Sequence, residues 1–183
     1  MQVIETTLPG VLIVEPKRFG DSRGFFVETF QLERYKSAGI GRPFVQDNLS
    51  RSTYGVLRGL HFQNPNAQSK LVCALRGRVL DVAVDVRVGS PTFGKHVAVE
   101  LSEENGRQLF VPRGFAHGFA VLSETADFFY KCDNIYSPSD EMVLRWDDPE
   151  LGIDWQLSAP KLSARDAAAP RLAALDQLPR YEA

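Results

Sequence analysis

Two histidines, each set among glycines and strand-forming residues, constrain this chain more than any other feature. The first lies in GVLRGLHFQ, from Gly55 to Gln63, and the second in PRGFAHGF, from Pro112 to Phe119. The strand-rich flanks predict two turns of a β-barrel that direct His61 and His117 into one cavity. The clearest strand runs from Val79, where Leu80, Val82, Val84 and Val86 line one face and Asp81, Asp85 and Arg87 the other. Many short strands at close spacing, cut by Gly and Pro turns, argue for an all-β sandwich or jelly roll rather than an α/β fold.

The remaining segments fill in that outline. Residues 1–18 predict a strand pair turning at Pro9-Gly10, and residues 20–24 a turn. A strand from Phe25 to Phe30 then puts Phe26, Glu28 and Phe30 on one face. A short helix over residues 31–39 closes at Gly39, and QDNLSRS, with Asp47, Asn48 and Ser50, is a polar edge. Further strands are expected at Lys95–Leu101, Phe119–Leu122, Ala126–Cys132 and Met142–Trp146, with a hairpin turn at Glu104–Gly106. The alanine-rich stretch 163–178, with Leu172, Ala173 and Leu175, predicts a small helix over the barrel mouth.

At 183 residues the chain fits one domain, 1–183. A net charge of −2 gives no general attraction to nucleic acid or an anionic membrane, so any anion site is local. No secretory leader or membrane-length apolar run opens or interrupts the sequence, and Cys73 and Cys132 read as buried thiols rather than a disulfide. The expectation is a soluble, cytoplasmic protein.

The two histidine segments resemble the paired motifs of cupin barrels, with departures at the metal positions. Gln63 stands where the first motif has its second histidine, and Lys70 where it has its glutamate. Two imidazoles, an amide and an ammonium make a poor ligand set for a divalent ion, so no metal is expected. The same positions suit acid–base chemistry on an organic anion. An imidazole is a good base near neutral pH, and an adjacent carboxylate fixes its tautomer. Asp166, Asp127 and Asp133 are all candidates for that carboxylate. A turn at Gly59 would bring Arg58 to the same cavity as His61. Alternation puts Phe128 and Tyr130 on one face and Phe129 and Lys131 on the other.

Over most of its length the sequence also resembles the dTDP-4-dehydrorhamnose 3,5-epimerase family. The matching segments run in the family's order: FGDSRGFFVETF from Phe19, QDNLSRSTYGVLRGLHFQ from Gln46, KLV from Lys70, and the run from Gly77 to Gly94. They continue with PRGFAHGFAVLS from Pro112, YK at Tyr130 and LSARD ending at Asp166. The resemblance implies a cofactor-free, metal-free cupin that inverts C3 and C5 of a dTDP-linked 4-keto-6-deoxyhexose, in making dTDP-L-rhamnose for bacterial surface polysaccharide. It implies His61 as base, Asp166 as its dyad carboxylate, Lys70 beside the keto oxygen and Tyr130 as acid on the opposite face of the ring. It further implies substrate contacts from Arg23, Glu28, Gln46, Asp47, Asn48, Arg58, His117 and Glu141, thymine stacking by Tyr136, and help from Phe19 and Phe26. Arg165 stands where the family commonly has lysine and is carried over as a phosphate contact. Homodimers are implied, the Arg23–Glu28 segment reaching into the partner's site. A relative inverting only one centre is the alternative.

Overall fold

The computed structural model describes residues 1–182. Thirteen strands form in chain order: β1 Gln2–Glu5, β2 Leu12–Glu15, β3 Arg18–Asp21, β4 Gly24–Val27, β5 Gln46–Thr53, β6 Leu57–Gln63, β7 Lys70–Arg76, β8 Arg78–Asp85, β9 His96–Ser102, β10 Gln108–Val111, β11 Phe115–Val121, β12 Thr125–Cys132 and β13 Glu141–Val143. Two short helices, α1 Leu32–Ser37 and α2 Ala164–Ala167, and a 3-10 turn at Leu172–Ala174 complete the chain. None of these helices is long and apolar enough to cross a membrane.

Two antiparallel sheets face each other. One has six strands in the order β1-β2-β10-β7-β12-β5, and the other has five in the order β13-β6-β11-β8-β9. Val72, Phe128 and Leu109 of the first sheet and Val79, Ala83 and Phe119 of the second share one buried cluster, the filling of the sandwich. Burying a ring such as Phe128 contributes about 1.5–3 kcal/mol. This is the expected jelly-roll architecture, and β3 with β4 forms a separate two-stranded hairpin.

Strand β8 shows how the sequence produces the layers. Its Leu80, Val82 and Val84 do not face the filling between the sheets. They pack outward, under Leu144, Leu151, Trp155 and Leu172 of the C-terminal segment. Val79, Asp81 and Ala83 therefore point inward, and seven of the eight residues of β8 are buried. A second outer cover, built from Tyr35 of α1 and Ile40 just beyond it, closes over Val14 and Leu71.

Several expectations need correction. The polar edge expected at QDNLSRS is the edge strand β5 of the six-stranded sheet, whose inward residues are polar because they line a hollow. β4 stops at Val27, so Glu28 and Phe30 lie beyond the strand. The turn at Glu104–Gly106 joins strands of different sheets rather than a hairpin pair. The tail is not one helix over the mouth. Only α2 meets the cavity, while Leu172 and Leu175 seal the outside of the five-stranded sheet. Cys73 and Cys132 are free and buried, as expected.

Candidate active site

Two adjoining cavities, of about 320 and 340 Å³, lie between the sheets and share the side chains of His61, Lys70, His117 and Tyr130. The first is walled by Gln46, Asn48, Gln63, Tyr136 and Glu141. The second is walled by Ser50, Arg58, Phe119, Phe128, Arg165 and Asp166. A larger groove near the N-terminus contains none of the four shared residues.

The local fold explains how these side chains converge. β6 and β11 pair with His61 opposite His117, and the register shifts between His117 and Phe119. Gly59 there has φ +122°, and a Cβ on it would lie 2.6 Å from Gly118 Cα. This close approach breaks the alternation of β6, so Arg58 and His61 both reach the hollow. On the six-stranded sheet, Lys70 of β7 stands directly opposite Cys132 of β12, and Tyr130 lies two residues along the same face. His61 and Tyr130 thus enter one cavity from opposing sheets.

His61 Nε2 lies 2.6 Å from Asp166 Oδ1, and the carboxylate is only 4% exposed. Ser163 caps α2 by accepting from the Asp166 N–H, which fixes the carboxylate's position. Burial pushes the Asp166 carboxyl up, yet the His61 ring, Ser163 and the Gly59 N–H together bring it below its ordinary value. The other two candidate carboxylates are engaged elsewhere: Asp127 with Arg51 at 2.6 Å, and Asp133 with Arg113 at 3.0 Å.

Burial depresses the Lys70 ammonium, opposed by the distant charges of Glu141 and Asp81 and by the Cys132 thiol, and no hydrogen bond or ion pair offsets that cost among the described residues. Its Nζ lies 5.9 Å from the centre of the Tyr130 ring. Burial likewise raises the Tyr130 phenol, so it stays protonated at neutral pH. Phe128 and Tyr130 do face inward, while Lys131 sits outside over Phe30 and Phe129.

At the rim of the first cavity, the Tyr136 hydroxyl donates to Glu141 Oε2 at 2.9 Å, and Arg165 pairs with the same carboxylate. Arg58 donates to Ser52 at 3.1 Å. Gln63, at the position of a cupin metal ligand, ties down the 135–137 loop instead, accepting from the Ser137 N–H at 3.0 Å. No group of three or more His, Cys, Asp or Glu side chains is arranged to hold a metal among the described residues.

Five expected contact residues are not brought to these cavities within one chain. Arg23, with 87% of its side chain exposed, pairs with Asp21 at the tip of the β3–β4 hairpin. Phe19 and Phe26 of that hairpin are exposed, and Glu28 pairs with Arg34. Asp47 faces away, against Lys131, because β5 alternates. Sequence reasoning also missed Asp81, which lies 3.0 Å from His117 Nε2 and is fully buried. The signal was an acid on a buried apolar strand, opposite Phe119 and two residues along the ladder from the Ala83–His117 pair.

The model of the dTDP-4-dehydrorhamnose 3,5-epimerase family matches residues 5–174. The dTDP-4-dehydrorhamnose 3,5-epimerase of Salmonella typhimurium is 57% identical over 94% of this chain and 96% of its own. A crystal structure of the 3,5-epimerase of Legionella pneumophila, in complex with dTDP-4-keto-L-rhamnose, superposes with a TM-score of 0.97 at 54% identity, covering 100% and 99% of the two chains. A 3'-monoepimerase from Streptomyces bikiniensis in complex with dTDP-quinovose is similar at a TM-score of 0.91 and 37% identity, covering 96% and 92%.

Proposed function

The chain belongs to the dTDP-4-dehydrorhamnose 3,5-epimerase family, and from that premise we propose how its own residues carry the reaction. The fold is cupin-type and the protein is an isomerase: it epimerises dTDP-4-dehydro-6-deoxy-D-glucose at C3 and C5 to dTDP-4-dehydro-L-rhamnose. The C4 ketone acidifies the hydrogens on both neighbouring carbons. His61 removes each proton. Its Nε2 is engaged by Asp166, which leaves Nδ1 for the transfer and sets the carboxylate to steady the imidazolium. The electron pair from the broken C–H bond moves into the enolate, whose oxygen Lys70 stabilises. Tyr130 then returns a proton to carbon from the opposite face, and the centre is inverted. The observation that carries this reading is the entry of His61 and Tyr130 into one cavity from opposing sheets, with the Lys70 ammonium unpaired among the described residues.

Tyr136, Glu141, Gln46 and Asn48 line the chamber that suits the thymidine, and Arg58, His117 and Arg165 supply donors for the remaining polar groups. Arg23, Phe19, Phe26, Glu28 and Asp47 serve a second copy in this reading. An isolated two-stranded hairpin is marginal in water, and this one exposes Phe19, Phe25 and Phe26 to 54%, 62% and 69%. Such surface supports a homodimer in which the hairpin docks at the partner's cavity. The chain acts as one unit, since the site draws on both sheets and on α2. Its two free thiols suit a reducing cytoplasm.

Incubation with the 4-keto-6-deoxyglucose nucleotide in deuterated water tests the reaction. Proton NMR is expected to show deuterium at both C3 and C5, and a downstream 4-reductase to yield the L-rhamno product. Label at one carbon alone refutes the double inversion. Tyr130→Phe is expected to keep exchange at carbon while product formation falls at least about 10²-fold.

A further inference from the structure

The inward edge of β5 carries four polar side chains, Gln46, Asn48, Ser50 and Ser52. Three of them have partners in the protein. Gln46 accepts from the Tyr136 N–H at 2.8 Å and donates to Asn48 at 3.0 Å. The Asn48 amide reaches Cys132 Sγ at 3.8 Å, and Ser52 accepts from Arg58 at 3.1 Å.

Ser50 is different. Its Oγ is shut away from solvent and has no hydrogen-bond partner among the described residues, yet the residue lines the second cavity beside Arg58, His61, Lys70 and Tyr130. Directly across the ladder stands Phe128, whose ring offers it no polar atom. A buried hydroxyl left unpaired is costly, and native proteins keep few of them. One that borders a cavity finds its partner when a ligand brings it.

We propose that Ser50 is a specificity-determining residue that hydrogen-bonds a hydroxyl of the hexose ring. The inference rests on the epimerase reading above. The hexose is favoured over the nucleotide by position. Ser50 belongs to the chamber of Arg58 and Asp166, whereas Tyr136 and Glu141 belong to the other. The substrate's ring carries hydroxyls only at C2 and C3, beside the ketone at C4 and the methyl at C5. Inversion moves the C3 hydroxyl, so a fixed side chain holds both substrate and product best through the hydroxyl at C2.

Ser50→Ala removes the group without enlarging the side chain. The expected result is an unchanged or higher melting temperature, KM for the keto-sugar nucleotide raised about tenfold (1.4 kcal/mol), and dTDP affinity by calorimetry within twofold of the original protein. The 2-deoxy analogue of the substrate is expected to lose the same factor with the original protein and nothing further with Ser50→Ala. An unchanged KM, an equal loss of dTDP affinity, or a melting temperature lowered by several degrees overturns the proposal. Failure of the epimerase reading shows itself separately, because the original protein then exchanges no deuterium into the sugar.

Discussion

Replacing Asp166 by asparagine isolates the dyad from the rest of the cavity. The amide keeps the size of the side chain and its place behind the Ser163 cap, but removes the negative charge 2.6 Å from His61 Nε2. When His61 takes a proton from carbon, the ring becomes a cation, and the wild-type carboxylate answers it with a charge-assisted hydrogen bond. Such bonds are worth about 1.5–3 kcal/mol, and this one is sheltered, the carboxylate being 4% exposed. At 1.36 kcal/mol per decade, kcat falls about 10- to 150-fold. Because the cation forms only during proton transfer, KM and dTDP affinity stay near their original values. Exchange at C3 and C5 falls by the same factor, since one base serves both carbons. The assay is deuterium wash-in followed by NMR, with substrate titration to separate kcat from KM. Exchange within twofold of wild type, or a loss confined to KM, refutes the dyad role. Unequal losses at C3 and C5 refute a single shared base.

Lys70→Met keeps the apolar stem and removes the ammonium; kcat is expected to fall about 10²- to 10³-fold. Since burial holds the ammonium of Lys70 below its ordinary range, the melting temperature rises, and calorimetry showing a drop instead contradicts the account. Gly118→Ala puts a Cβ 2.7 Å from the Arg58 carbonyl oxygen and 3.1 Å from Gly59 Cα. The expected cost is about 1–3 kcal/mol in urea unfolding, with loss of activity as β6 and β11 part. Burial raises the Asp85 carboxyl, but Arg87, Ser90, Thr92 and the Arg87 N–H outweigh it and bring it from 3.8 to about 2. Stability from that network is full above the unfolded value near 3.8 and drains away as pH falls toward 2. Asp85→Asn is therefore expected to lose about 2 kcal/mol at pH 7, with the gap from wild type narrowing on acidification; a gap independent of pH contradicts this.

The sequence made some of this legible because spacing carries it. His61 and His117 were readable as cavity residues, and the structure pairs them across one ladder. Tyr130 was readable from alternation only as sharing a face with Phe128, its place in the site coming from the family resemblance, and Arg58 was readable from the glycine that breaks alternation in β6. Alternation says which residues share a face, but not which face turns inward. In β8 the apolar face meets the C-terminal cover, so Asp81 was hidden behind an ordinary amphipathic pattern. In β5 the inward side chains are polar, and the sequence marked a polar edge without revealing that it lines a hollow. The choice of Asp166 over Asp127 and Asp133 needed 105 residues of chain to be folded back onto His61, which no local pattern encodes.

The carboxylate behind the base comes from α2, on the same C-terminal strap that wraps the five-stranded sheet with Leu151, Trp155 and Leu172. Chemistry and assembly are thereby joined in a single fastening. A molecule whose strap has peeled back still has a hollow between its sheets, but its imidazole has lost its counterweight. Mild denaturant will therefore quiet turnover before it melts the strands, making the reaction itself a gauge of whether the outer wrapping is seated.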